Sequence, residues 1–169
     1  AAARHSLLNK TGWNVEADGL FNAPAIDVVV GEEAHPTLYR SLSLLGLGQK
    51  RVITVPVDEQ GRMRIDKFPV LNKPSIVCVQ AGNVNTGSFD PIKKICEMAK
   101  ESGSWVHVDG AFGLWASVSM DKEYLTDGIG KADSWATDAH KWLNVPYDCG
   151  LAFVKDSESL RRALSLTAA

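Results

Sequence analysis

The sequence predicts an α/β fold with a mostly parallel sheet flanked by helices. Three observations carry that expectation: five short runs rich in β-branched residues, helical stretches with one apolar face between most of them, and chemically capable residues placed just after strand ends. A chain of 169 residues is of single-domain size and can bury roughly 70% of the surface its unfolded form exposes.

The strand runs, in order, are AIDVVV (25–30), RVITVPV (51–57), SIVCVQA (75–81), WVHVDG (105–110) and GLAFVK (150–155). Each is too continuously apolar to turn one face to water, so each is expected to be buried on both faces. The opening AAARHSLLNKTG reads as the later turns of a helix, since no Ser, Thr, Asp or Asn precedes it as a cap. HPTLYRSLSLLGLG predicts a helix with Pro36 near its start, Leu38, Leu42 and Leu45 on one stripe, and Gly46 or Gly48 as its stop. RVITVPVDEQGRMRID breaks the alternation: its Glu-Gln-Gly turn is a connection, and only a short helix fits near Lys67 to Leu71. FDPIKKICEMAKESG places Ile92, Ile95, Cys96 and Ala99 at i, i+3, i+4 and i+7, with Asp90 as the expected N-cap and Pro91 at the first helical position. SESLRRALSLTAA starts a helix at Ser157 and reaches the last residue without a glycine stop. Both ends read as cut, so 1–169 is expected to be one α/β domain that is a piece of a larger protein.

Eighteen basic and twenty acidic residues give a net charge of −2, and no basic stripe with interleaved aromatics is present, which argues against nucleic acid as a partner. Three widely spaced cysteines, Cys78, Cys96 and Cys149, fit neither a disulfide framework nor a CxxC knuckle and suggest a reducing, cytoplasmic setting. No stretch approaches the ~20 apolar residues of a membrane span.

Parallel sheets bind ligands beyond the carboxyl ends of their strands. Four segments there are loaded: GEEAHP with His35, GNVNTGSFD with Asn83, Asn85 and Thr86, VDGAFG with Asp109 and Ala111, and DSWATDAHK with Asp138, His140 and Lys141. One reading is a metal hydrolase using His107, Asp109, Asp138 and His140. Against it, His107 and Asp109 lie on one strand face that should be a packed layer, and no HExxH spacing occurs. The other reading is a carbonyl cofactor held as a Schiff base. Lys141, followed by Trp142, Leu143 and Val145 and preceded by Trp135, is expected to be partly desolvated, which favours the neutral, nucleophilic amine. Asp109 can pair with a pyridine nitrogen, His35 can lie flat on the ring, Ala111 is small enough for close approach, and His140 can reach a phosphate.

VHVDGAFGLWA followed by ADSWATDAHKWLNVPYDCG resembles the group II pyridoxal-phosphate decarboxylases, the family of the aromatic amino acid and glutamate decarboxylases, in particular its bacterial members. The resemblance extends to EEAHPTLYRSLSLLGLG and QAGNVNTGSFDPI and so spans nearly the whole chain. It implies the large domain of the fold-type I, aspartate aminotransferase-like superfamily, pyridoxal 5'-phosphate as cofactor, and decarboxylation of an L-amino acid through an internal aldimine on Lys141. It further implies Asp109 at the pyridine nitrogen, His35 on the ring with a part in proton handling, Ala111 against the ring, His140 near the phosphate, Asn83 in the cofactor loop, and a homodimer. By the same resemblance, a phosphate-binding turn would precede Ala1 and a small domain would follow Ala169. Two departures stand out: Asn83 and Val84 replace the paired threonines of many members, and Asp138 replaces an asparagine three places before the lysine. Transamination or carbon-carbon lysis, and a non-catalytic α/β fragment, are the alternative functions.

Overall fold

The computed structural model describes residues 1–165. Six strands, β1 (Asp27–Gly31), β2 (Val52–Val55), β3 (Ser75–Gln80), β4 (Trp105–Asp109), β5 (Ser134–Asp138) and β6 (Gly150–Val154), form one sheet in the order β2-β1-β3-β4-β5-β6. The first five are parallel and β6 runs antiparallel to β5. Helices α1 (Ala2–Lys10), α2 (Val15–Asp18), α3 (Pro36–Leu44), α4 (Ile92–Glu101) and α5 (Ser157–Leu164) complete the layers.

Strand side chains alternate between two apolar layers. On one face Val77, Val79, Val106 and Val108 meet Ile92 and Ile95 of α4. On the other, Val28, Val30, Ile76 and Trp105 meet Leu7 of α1 and Leu42 of α3. Each such side chain taken fully from water contributes about 1.5–3 kcal/mol, so the two layers hold the sheet between the helices. The β1–β2 crossover through α3 and the β3–β4 crossover through α4 use opposite faces, which puts the reversal of strand order between β1 and β3. A crevice outside the carboxyl ends is the expected ligand position in such a sheet.

Several elements differ from the sequence expectation. SWATD forms β5 although it reads as a polar loop: Ser134 and Thr137 are buried, with the Ser134 hydroxyl accepting from Trp105 Nε1 at 2.8 Å. The 150–155 run is the antiparallel edge strand β6, and the other edge, β2, leaves Ile53 37% exposed, so neither edge strand is covered on both faces. The short helix is a 3₁₀ turn at Ile65–Lys67, earlier than expected, because Phe68 is drawn into the α4 layer. Asp90 does not cap α4, whose N-cap is Pro91. Its buried carboxylate instead accepts from Met63 N and Gln80 N, both at 2.7 Å, tying the 57–63 turn to the end of β3. Two backbone donors from separate segments satisfy the carboxylate more fully than one helix end would. Burial pushes its pKa up to about 6, with the Gln80 and Met63 amides opposing. The helix at Ser157 is present and capped by the Asp156 carboxylate on Glu158 N, while its expected run to the last residue lies outside the described residues.

Candidate active site

At the carboxyl edge of β1, β3, β4 and β5 lies a cleft of about 420 Å³, within the ~300–1,000 Å³ usual for small-molecule sites. Lys141, Asp109, His35, Ala111 and His140 all line it. Asn83 does not. It is buried, donating to Glu33 Oε2 at 2.9 Å and accepting from Asn85 N and Thr86 N, so its amide is consumed in shaping the loop after β3.

Lys141 follows β5 by one turn, its N–H donating to Asp138 O at 3.0 Å. Its Nζ lies 2.7 Å from Asp138 Oδ2 and 4.0 Å from the centre of the Phe112 ring. The apolar seclusion expected of its neighbours is absent: Trp142 is 60% and Leu143 47% exposed, and Trp135 sits on the opposite sheet face, its Nε1 donating to Ile129 O. The turn after Lys141 throws the apolar residues outward, so a carboxylate and an aromatic face surround the amine. Asp138 and Phe112 are partners the sequence did not single out for Lys141; the i, i+3 spacing of Asp138 was the available signal.

Asp109 ends β4 between Gln80 of β3 and Ala136 of β5. One carboxylate oxygen accepts from Ala111 N at 3.1 Å, and the other has no hydrogen bond among the described residues. Beside it two glycines bring the following loops together. Gly82 has φ +93°, and a Cβ there would stand 3.0 Å from Gly113 N; a Cβ on Gly113 would stand 2.4 Å from Ala81 O. The loops after β3 and β4 therefore pack main chain to main chain, which only glycine permits.

His35 is exposed at the start of α3, where Nδ1 accepts from Thr37 N at 3.3 Å and lies 2.7 Å from Thr37 Oγ1. It is a helix cap and a cleft residue at once. His140 Nδ1 accepts from Cys149 N at 3.0 Å, its Nε2 lies 3.8 Å from Asp138 Oδ2, and its ring meets Tyr147 edge-on at 4.6 Å. His107 also borders the cleft, so the packed layer expected over its strand face opens at this end. Burial lowers its pKa, with the Asp109 charge opposing. Among the described residues no group of three or more His, Cys, Asp or Glu side chains is arranged to hold a metal ion.

The donor set fits pyridoxal phosphate. An amine and a carboxylate with a free oxygen share one cleft of the right capacity, with the small residues Gly82 and Ala111 in its lining. Fold and site together define a pyridoxal-phosphate enzyme domain of fold type I. Residues 12–169 match the pyridoxal-dependent decarboxylase conserved domain, and the chain belongs to that family. It is 34% identical to the aspartate 1-decarboxylase of Aliivibrio fischeri, over 92% of this chain and 31% of that protein. The glutamate decarboxylase domain of a diaminobutyrate-pyruvate transaminase and L-2,4-diaminobutyrate decarboxylase from Vibrio parahaemolyticus superposes with a TM-score of 0.87 at 29% identity, covering 96% of this chain and 38% of that one. Oryza sativa TDC, solved with PLP and tryptamine, superposes at 0.79 with 25% identity, covering 99% and 35%. The chain thus spans about a third of the length of the curated relatives it matches.

Proposed function

We propose that the protein decarboxylates an L-amino acid using pyridoxal 5'-phosphate bound at Lys141. The observation that carries this is the meeting of Lys141 and Asp109 in one cleft within a chain of this family. When bound, the cofactor supplies an electron sink for the pair left on Cα as carbon dioxide departs. Lys141 Nζ would hold the aldehyde, and Asp138, 2.7 Å away, orients the side chain that carries it. The free oxygen of Asp109 would hold the ring nitrogen and favour its protonated form. His35, in the cleft lining, would hold the ring face, with Nε2 left to meet substrate because Nδ1 is committed to α3. Ala111 and Gly82 would let the ring lie close, and His140 would hold the phosphate.

We read the protein as cytoplasmic and homodimeric. Cys78, Cys96 and Cys149 are free, which suits a reducing compartment. Among the described residues no helix is long and apolar enough to cross a membrane. Trp142, Leu143 and Tyr147 beside the cleft form exposed apolar surface that a second copy would cover.

In the full-length protein loaded with pyridoxal phosphate, Lys141→Ala should abolish the visible cofactor absorbance and release of carbon dioxide from amino acids. An unchanged spectrum would overturn the assignment.

A further inference from the structure

Lys141 Nζ rests between two walls that come from different strand ends. On one side Asp138 Oδ2, from the last residue of β5, lies 2.7 Å away. On the other, the Phe112 ring in the loop after β4 presents its face, with the centroid 4.0 Å from Nζ. Both are direct contacts: the first has the length of a charge-assisted hydrogen bond, and the second is well inside the ~6 Å at which a ring face attracts a cation.

Each wall is tied to the sheet. Asp138 O accepts from Lys141 N at 3.0 Å and Asp138 pairs with Gly150 of β6, while Gly113 N, next to Phe112, donates to Ala81 O at 2.8 Å. His140 Nε2 faces the same Asp138 oxygen at 3.8 Å, so the carboxylate keeps a polar neighbour when the lysine moves away. Lys141, Asp138 and Phe112 all line the cleft, and the lysine side chain is only 29% exposed. A partly desolvated cation gains more from a carboxylate and a ring face than a solvated one does.

The proposed reaction needs such a place twice. The amine waits in the cleft before cofactor attaches, and it must go somewhere when a substrate amine takes over the aldehyde carbon. In that exchange the substrate nitrogen forms the new carbon-nitrogen bond as the bond to Nζ breaks, and the protons shed by the substrate ammonium end on Nζ. Lys141 therefore departs as an ammonium, with no net proton taken up or released. We propose that Asp138 and Phe112 form a seat for this ammonium, occupied whenever Nζ carries no bond to the cofactor, and that Phe112 is a positioning residue in the exchange. This rests on the function proposed above.

The test uses the full-length protein. In its cofactor-free form, proton-nitrogen NMR of the lysine ammonium groups should show one signal shifted upfield by the Phe112 ring, deleted by Lys141→Ala and returned to the range of solvated lysines by Phe112→Leu. Loading with pyridoxal phosphate should remove the signal. Aminooxyacetate, which takes the aldehyde carbon and frees Nζ, should restore it at the same shifted position. No shifted signal in the cofactor-free protein, or its return among the solvated lysines, would overturn the proposal. Phe112→Leu should keep the visible cofactor absorbance yet slow displacement by aminooxyacetate about fivefold, the effect of one partly exposed contact between a cation and a ring face. Phe112→Tyr, which keeps that face, should recover the rate. An unchanged rate in Phe112→Leu, or no recovery with Tyr, would overturn the role of the ring. Absence of visible absorbance in the unsubstituted protein would overturn the cofactor reading and the exchange together, while the cofactor-free spectrum would still decide the seat.

Discussion

A single carboxylate separates Lys141 from the usual solvated lysine. Asp138 holds Nζ at 2.7 Å, and the Phe112 face lies beneath it, so the amine is oriented before any ligand arrives. Replacing Asp138 with Ala should slow cofactor attachment, measured as the rate at which visible absorbance develops, by on the order of a hundredfold, the usual cost of misplacing a reacting group. An unaltered rate would mean that the amine finds its place without the carboxylate. Sequence reading reached Lys141 and Asp109 because both sit in short motifs with distinctive neighbours. It misjudged the surroundings of the lysine because apolar neighbours such as Trp142, Leu143 and Val145 suggest a dry pocket only when the backbone does not turn, and here it does. It placed Asn83 by its loop position, whereas the contacts of its amide are decided by Glu33, fifty residues away.

Among the elements, the loops leaving β3 and β4 are the least forgiving. Gly113→Ala would drive a Cβ against Ala81 O, and the expected loss of about 1–3 kcal/mol should appear as a lower urea midpoint for the full-length protein. A midpoint equal to wild type would show that the two loops can separate at no cost. The helices were legible because their apolar stripes repeat at the helical period, as Ile92, Ile95, Cys96 and Ala99 of α4 show. β5 was not. Its inward hydroxyls, Ser134 and Thr137, are satisfied or enclosed only by tertiary neighbours, so nothing local marks SWATD as a buried strand.

Across the whole molecule, Asp90 couples stability to pH. Its folded pKa, about 6, stands above the ordinary 3.8, so ionising it costs the folded state more than the unfolded one. The associated stability is complete below about pH 4 and is lost as pH rises toward about 6, up to about 3 kcal/mol in all. Asp90→Asn should remove this fall, seen as a smaller difference between urea midpoints at the two ends of that window; an unchanged difference would place the ionisation elsewhere. His107 acts in the opposite direction: its depressed pKa gives stability that is present above about 6.5 and lost as the solution is acidified below it. The parallel order of β1 to β4 followed from their apolar runs, while the insertion of β5 and the reversal of β6 did not, because an edge strand of either direction carries the same residues. That reversal has an evolutionary consequence. Because β5 and β6 form a hairpin, the segment from 139 to 149 is pinned at its base by Ala139 N on Cys149 O and by Cys149 N on His140. Insertions or substitutions near its tip, around 143–147, can diversify what the protein accepts while the reactive amine stays where the hairpin stem holds it.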